Sequence, residues 1–428
     1  MDERFSRRAF MGAVGAGATT GLAGCNTMLP RSSGDAVETE GSIDTFAATE
    51  FRGGLERQGV SLDETVPTDP EVEWTLREVN TGDHTAAKAS PVEVPGGDIV
   101  VPGDNREIRR VTPDGEVVWT ERVEETGRGI HGTPAVANGV VYIGAYDGAL
   151  YAFDLETGER YWRTKLGDAI GSSPGYHDGT VYIAVEYYDP SGELFAVDAV
   201  TGEVEWSDDR VTNHPHSTCA VDRDAGRLVV GANDGDLYAW SYPDLDFQWT
   251  FSTDEPVKGP IATHDGSAVF GSWDQTVYRV ALDDGTEQWA FEPDDRVMSG
   301  PSIETDTDTV YVGSHDSRLY ALDFEDGAEQ WRFDTAGSLI GCPTVTSEHV
   351  LVGSYDEHCY AVEKATGEEV WSVAGVGVVS STPLAADGAV YFTDRASDAY
   401  LDAKEADDEE SDPDDSGGLY KVVSADGN

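Results

Sequence analysis

A chain of 428 residues can make two or three ordinary domains or one large repeat array. Hydrophobic residues make up 39% of it and ten are tryptophan, which excludes global disorder. With 82 acidic residues against 28 Lys and Arg, the net charge of −54 excludes nucleic acid and anionic membrane surfaces as natural partners. The acids are spread along the whole chain, and lysine occurs only at 88, 165, 258, 364, 404 and 421. Self-repulsion on this scale opposes compaction in dilute buffer. At molar salt the Debye length falls to about 3 Å and the repulsion is screened. The composition therefore reads as adaptation to concentrated salt; a specific cation-binding protein would gather its acids in local clusters, whereas this excess runs along the whole chain.

The chain opens MDERFSRRAFMGAVGAGATTGLAGCNTMLP. Ser6-Arg7-Arg8-Ala9-Phe10-Met11 resembles a twin-arginine export signal, and Leu22-Ala23-Gly24-Cys25 resembles a lipoprotein processing box. The Gly-rich stretch between them is too short to span a bilayer as an ordinary helix. In this order the three elements imply that residues 1–24 are a cleaved signal peptide and that Cys25 carries a lipid. The expected location is the outer face of the cytoplasmic membrane, reached by export and held by that lipid alone. Residues 25–66 read as a flexible acidic tether, rich in Ser, Gly, Thr and acids with no apolar period. Within it, FRGGLERQG (51–59) has aromatic and basic character and is expected to pack against the first or last repeat. The acid excess with scarce lysine resembles proteins of halophilic archaea.

From residue 67 onward the chain repeats. Aligned tryptophans fall at Trp74, Trp119, Trp162, Trp206, Trp249, Trp289, Trp331 and Trp371, spaced by 40 to 45 residues. Each repeat has one grammar. GTPAVANG (132–139) is a short strand and a turn, VVYIGAYDG (140–148) an apolar strand ending in an Asp-Gly turn, and ALYAFD an alternating strand that turns at ETG into ERYW. Such a unit is a four-stranded antiparallel sheet that cannot cover both its faces alone, so copies must stack radially. The turn glycines 115, 158, 202, 285, 327, 367 and 427 follow Asp or Thr, where positive φ is needed. The fourth repeat departs, with Pro243-Asp244-Leu245 in that place. The tryptophans are expected to lie flat between neighbouring repeats.

The C-terminal repeat stops at KVVSADGN before any tryptophan, while DPEVEW near the start supplies Trp74 with no strand before it. An open ring would leave two bare edges. Joining the termini predicts an all-β, eight-bladed β-propeller of four-stranded antiparallel blades over residues 67–428, its last blade closed by the N-terminal strand near Trp74. A seven-bladed ring would need a degenerate repeat, and all eight are legible. The last blade carries the insertion DRASDAYLDAKEADDEESDPDDSGG (394–418), expected to be a mobile acidic loop.

The phrase A-x-D-x-x-x-G-x-x-x-W, as in Ala152-Phe153-Asp154…Gly158…Trp162 and Ala321-Leu322-Asp323…Gly327…Trp331, resembles the tryptophan-docking motif of the quinoprotein-like PQQ-repeat propellers. That resemblance covers roughly residues 51–428 and speaks to fold more than to function. The family includes PQQ-dependent alcohol dehydrogenases and non-catalytic lipoproteins, among them the eight-bladed scaffold of the outer-membrane β-barrel assembly machinery. The dehydrogenase branch implies a vicinal Cys pair over the cofactor, a calcium ion held by Glu and Asn, and a catalytic Asp. Here Cys25, Cys219, Cys342 and Cys359 are never adjacent. Cys219 and Cys342 fall at equivalent first-strand positions of blades four and seven, and all but Cys25 read as small core residues. No nucleophile elbow, metalloprotease helix, phosphate loop or zinc-cysteine pattern occurs. Asp306 and Asp308 lack the partners of a calcium loop and read as a solvated hairpin. His214-Pro215-His216 offers two metal ligands without an evident third, so no metal, no cofactor and no catalytic residue is expected; PQQ with calcium is the alternative.

Two groups of residues point instead to binding. Turns between second and third strands place Tyr146, Tyr188, Trp273, His315 and Tyr355 before a turn-forming Asp. Turn chemistry accounts for the Asp and leaves the rings unexplained, so they are expected to form a rim that docks a protein or peptide. Lys88, His131, His216 and Lys258 enter the innermost strands and should gather at the channel mouth as an anion-binding group. The function expected is a monomeric, lipid-anchored, non-catalytic propeller scaffold for an unidentified protein or peptide. The alternatives are a PQQ-dependent oxidoreductase and a carbohydrate- or solute-binding surface module.

Overall fold

The structure, a computed structural model, describes residues 49–82, 89–124, 126–405 and 412–425. The signal peptide, Cys25, the first part of the tether, Lys88 and Gly427 lie outside the described residues. Eight sheets follow one another in chain order, each with four antiparallel strands. Blades 1 to 7 occupy 92–122, 135–165, 175–211, 220–252, 262–291, 302–334 and 344–374, and blade 8 occupies 384–424. Second strands such as Val140–Gly144 and His349–Gly353 are buried along their whole length, because neighbouring blades cover both faces. Fourth strands lie at the outside and alternate; in Phe247–Ser252 every second residue is exposed. No helix among the described residues is long and apolar enough to cross a membrane.

The ring closes as the termini require. Strand Pro70–Asn80 pairs antiparallel with Gly417–Ser424, placing Trp74 opposite Lys421 and Leu76 opposite Leu419, and becomes the fourth strand of blade 8. Adjacent blades are held by a repeated contact. The indole Nε1 of Trp119 donates to Leu155 O at 2.8 Å, that of Trp289 to Phe324 O at 2.8 Å and that of Trp331 to Lys364 O at 2.9 Å, always across to the next blade. Trp74, Trp162 and Trp249 do the same, and Trp371 reaches Pro67 O. Trp206 departs from the pattern, because the turn it should meet contains Leu245 in place of glycine; it packs edge-on against Trp240.

The segment expected to end the tether is part of the fold. Residues 49–64 run across the inner strands, whose channel-facing edges would otherwise hold unpaired N–H groups. Val136, Val221, Thr263, Ile303 and Val345 of blades 2, 4, 5, 6 and 7 donate to the carbonyls of Thr49, Leu55, Glu56, Gln58 and Gly59 at 2.7–2.9 Å. Val60–Ser61 adds a fifth, parallel strand to blade 7. Arg57 is completely buried beneath this segment, 3.1 Å from Glu50 and bonded to the carbonyls of Phe51, Pro174 and Cys219. Residues 51–59 thus touch many blades, not only the first or last.

The blade 8 insertion also differs from a mobile loop where it is described. Asp398–Glu405 is a helix and Pro413–Asp415 a short 3-10 turn. Lys404 Nζ donates to Thr81 O at 2.5 Å and Arg395 to Gly82 O at 2.9 Å, which fastens the insertion to the chain just after strand Pro70–Asn80. The third strand begins at Gly417, inside the span expected for the insertion.

Candidate binding funnel

One backbone contact recurs around the ring and defines a rim position. At or just past the end of the second strand in blades 2 to 8, a residue donates its N–H to a carbonyl of the segment that leads into its own blade. These pairs are Tyr146 to Gly129, Glu186 to Ala169, Asn233 to His214, Trp273 to Pro256, His315 to Arg296, Tyr355 to Ser338 and Arg395 to Val378, at 2.9–3.1 Å. Asp104 holds the corresponding place in blade 1 through Asn80.

This assignment corrects Tyr188. The blade 3 hairpin has two eight-residue strands, Thr180–Tyr187 and Ser191–Asp198; the former is longer than the second strand of every other blade, and the latter is matched in length by Gly417–Ser424 of blade 8. Tyr182 pairs with Ala196 as Tyr142 pairs with Ala152, so Glu186 and not Tyr188 is the equivalent of Tyr146. Tyr188 stands at the hairpin tip, 84% exposed.

The other four rim rings, Tyr146, Trp273, His315 and Tyr355, line a funnel of about 490 Å³. His131, His216 and Lys258 line it too, so the two groups expected separately share one cavity. Phe51 of the N-terminal segment lines the same cavity. Inner-strand residues are stapled across blades by hydroxyls that accept backbone N–H groups. Thr133 N donates to Ser173 Oγ at 2.9 Å, Ser173 N to Thr218 Oγ1 at 3.1 Å and Thr382 N to Ser90 Oγ at 2.9 Å. Cys342 belongs to this belt, its sulfur accepting from Gly300 N at 3.3 Å. Its strand register sets it one position before Cys219, so the two cysteines are not equivalent; Cys219 lies in the core with burial pushing its thiol up to about 11. Cys359 is buried as expected.

Charge in the funnel is concentrated and of unusual sign for this chain. Lys258 Nζ sits 3.6 Å from the centre of the Trp273 ring, and Arg296 Cζ stacks 4.6 Å from the same ring. Burial, and then the Arg296 charge, lower the pKa of Lys258. The Trp273 indole N–H is buried with no acceptor among the described residues. His131 packs on Tyr146 at 4.2 Å between ring centres, and Arg128 Cζ lies 5.7 Å from the centre of the same Tyr146 ring. Desolvation raises the Tyr146 hydroxyl, with the Glu186 charge adding to it. Glu186 is buried 3.0 Å from His216 Nδ1; burial opposes its charge, but the His216 hydrogen bond and charge outweigh it and hold its pKa below the usual range. On the blade 8–blade 1 side, Arg395 and Asp104 face each other at 3.5 Å, both buried, and that part of the rim is internally neutralised. Arg128 and Arg296 were missed in sequence because neither sits at a motif position, and Glu186 because the longer blade 3 hairpin shifted the apparent rim position to Tyr188.

Among the described residues, Glu186, His214 and His216 are the only grouping of three His, Cys, Asp or Glu donors close enough to share an ion. Two imidazoles and one carboxylate do not suit calcium, which takes six to eight oxygens. With no adjacent cysteines either, these residues do not fit a PQQ–calcium centre.

A family model described as PQQ_2, outer membrane protein assembly factor BamB, matches residues 66–169, 104–222, 147–272, 216–332 and 273–427. The chain belongs to this family. Family relatives include BamB of Yersinia pestis, 29% identical over 212 residues, or 46% of this chain and 51% of that one. BamB of Alkalilimnicola ehrlichii is 32% identical over 167 residues, 36% of this chain and 40% of that one. The chain thus spans about half or less of these relatives' length. Among solved structures, the quinohemoprotein alcohol dehydrogenase of Comamonas testosteroni superposes with a TM-score of 0.71 at 16% identity, covering 88% of this chain and 80% of that one. BamB of Moraxella catarrhalis gives 0.59 at 14% identity, covering 82% and 97%. Both likenesses concern the propeller fold.

Proposed function

We propose that this chain is a non-catalytic scaffold that receives an acidic segment of a protein partner in the funnel, held at the outer face of the cytoplasmic membrane through Cys25. The observation that carries the proposal is the pairing of Lys258 and Arg296 on Trp273 inside a funnel of a chain with net charge −54. A carboxylate placed there would relieve the mutual repulsion that lowers Lys258, and an acceptor oxygen would satisfy the Trp273 N–H. Charges in a partly buried funnel escape much of the screening that molar salt imposes on exposed ones. Tyr146, His315 and Tyr355 add apolar area at small entropic cost. The relatives named as assembly factors support a protein partner. The dehydrogenase likeness favours a PQQ oxidoreductase, but the donor set argues against the calcium that chemistry uses. A carbohydrate module would use the rings and leave the cations without a role.

Two measurements bear on this. A photo-crosslinking residue at position 315, in cells, should trap a protein, and one at position 200 on the opposite turns should not; equal trapping at both would contradict the funnel. Cys25→Ser should move the protein from the membrane to the soluble fraction, and unchanged fractionation would remove the anchor from the account.

A further inference from the structure

We infer that Glu186, His214 and His216 form a binding site for one divalent transition-metal ion in the wall of the funnel. Blade 3 supplies the carboxylate at its rim position, where four other blades carry a ring, and the segment entering blade 4 supplies both imidazoles. One donor atom from each lies within 4.8 Å of the other two. His216 Nδ1 and Glu186 Oε1 are already 3.0 Å apart. Two donors at about 2.0–2.1 Å from one tetrahedral ion are separated by about 3.3 Å, so this pair needs little movement and His214 must close from within 4.8 Å. Metal binding would put the ion between these two donors, whose present close approach already brings them to one point in the wall. The site is also braced. His214 Nε2 bonds Tyr187 O at 2.8 Å, the backbone carbonyl of His214 accepts from Asn233 N, and Glu186 N is tied to Ala169 O. These contacts orient ligands in the way outer-shell partners do in metal sites. Gly171 leaves the approach open, since a Cβ there would lie 2.9 Å from Glu186 Oε1.

Two imidazoles and one carboxylate suit Zn²⁺, Ni²⁺ or Cu²⁺ and disfavour Mg²⁺ and Ca²⁺. Three protein ligands leave a coordination position free, and His216 also lines the funnel. The inference does not depend on the docking proposal, because metal uptake is measured without a partner.

The test uses the full chain, stripped with chelator and titrated with Zn²⁺ in molar KCl containing excess Mg²⁺. Magnesium occupies the weak sites that the exposed carboxylates of this acid-rich chain would otherwise offer zinc. One equivalent should bind saturably, and Co²⁺ in its place should show nitrogen ligands by X-ray absorption. His216→Ala and His214→Ala should each weaken this binding by about 100-fold or more, since even outer-shell losses cost about 10–100-fold. Glu186→Gln keeps the size of the side chain and one carbonyl-type oxygen; it should lower affinity in a chain that still unfolds cooperatively, which covers the case in which a histidine variant fails to fold. No saturable equivalent under excess Mg²⁺, or one that survives in Glu186→Gln, would overturn the inference.

Discussion

Gly327 meets two demands at once. Its φ of 73° lies in the left-handed region, and a Cβ added there would fall 2.8 Å from the Trp289 indole of the preceding blade. Glycines 115, 158, 202, 285 and 367 repeat both features, with clearances of 2.7–3.0 Å. Sequence alone disclosed the first demand, since Gly after Asp or Thr marks a positive-φ turn. The second was hidden, because it joins residues of different repeats. Gly266 separates the two: its φ is 66° and nothing lies within 4 Å of its missing Cβ. Gly266→Ala should cost only the backbone strain, about 1–2 kcal/mol. Gly327→Ala should lose that and a further ~1–3 kcal/mol for overpacking against the indole. Chemical denaturation of both variants in molar KCl measures the difference. Equal losses would mean that the indole gives way freely and that the docking contact contributes little.

Among the elements, strands with a clear period were legible and the irregular pieces were not. The rim aspartates illustrate a reason found in part. Turn chemistry explains why Asp stands there, yet Asp147, Asp234, Asp274, Asp316 and Asp356 also accept from the tyrosine hydroxyl four residues on, at 2.6–2.9 Å. Asp394 accepts from Tyr420 at 2.8 Å across the whole insertion, so blade 8 keeps the lock although its sequence spacing is lost. Blade 3 misled for a similar reason: its longer hairpin moved Tyr188 outward and placed Glu186 on the rim. Residues 49–66 read as a tether because they are bound through backbone pairing and buried polar groups, which leave no apolar period. Arg57 is the anchor of that segment. Arg57→Ala would leave Glu50, itself 1% exposed in its side chain and raised in pKa by burial, without its counter-ion. The expected loss is ~3–5 kcal/mol, and Arg57→Met with Glu50→Gln should recover much of it. Thermal melts of the single and double variants check this; a single variant as stable as the parent would show the segment to be dispensable.

At the scale of the whole molecule, closure was readable because a missing tryptophan at one terminus matched a spare one at the other. The strand pairing of Trp74 with Lys421 realises it. The funnel was readable only as two unconnected residue groups; the ring brings them together because equivalent positions of successive blades converge on one axis. Lys258 was placed at the channel mouth from sequence, whereas Arg128 and Arg296 were not, since they sit in linkers of no repeated sequence pattern. The acidic exterior and the cationic funnel make one account: repulsion over most of the surface, and attraction for an acidic segment at one opening. The account therefore predicts a contrast between residues that look alike in sequence. In cells carrying the crosslinker at position 315, Trp273→Ala with Tyr355→Ala should abolish the trapped partner, while Tyr188→Ala, outside the funnel, should leave its yield unchanged. A folded double variant that traps the same partner at the parental yield, or loss of trapping on replacing Tyr188, would contradict it.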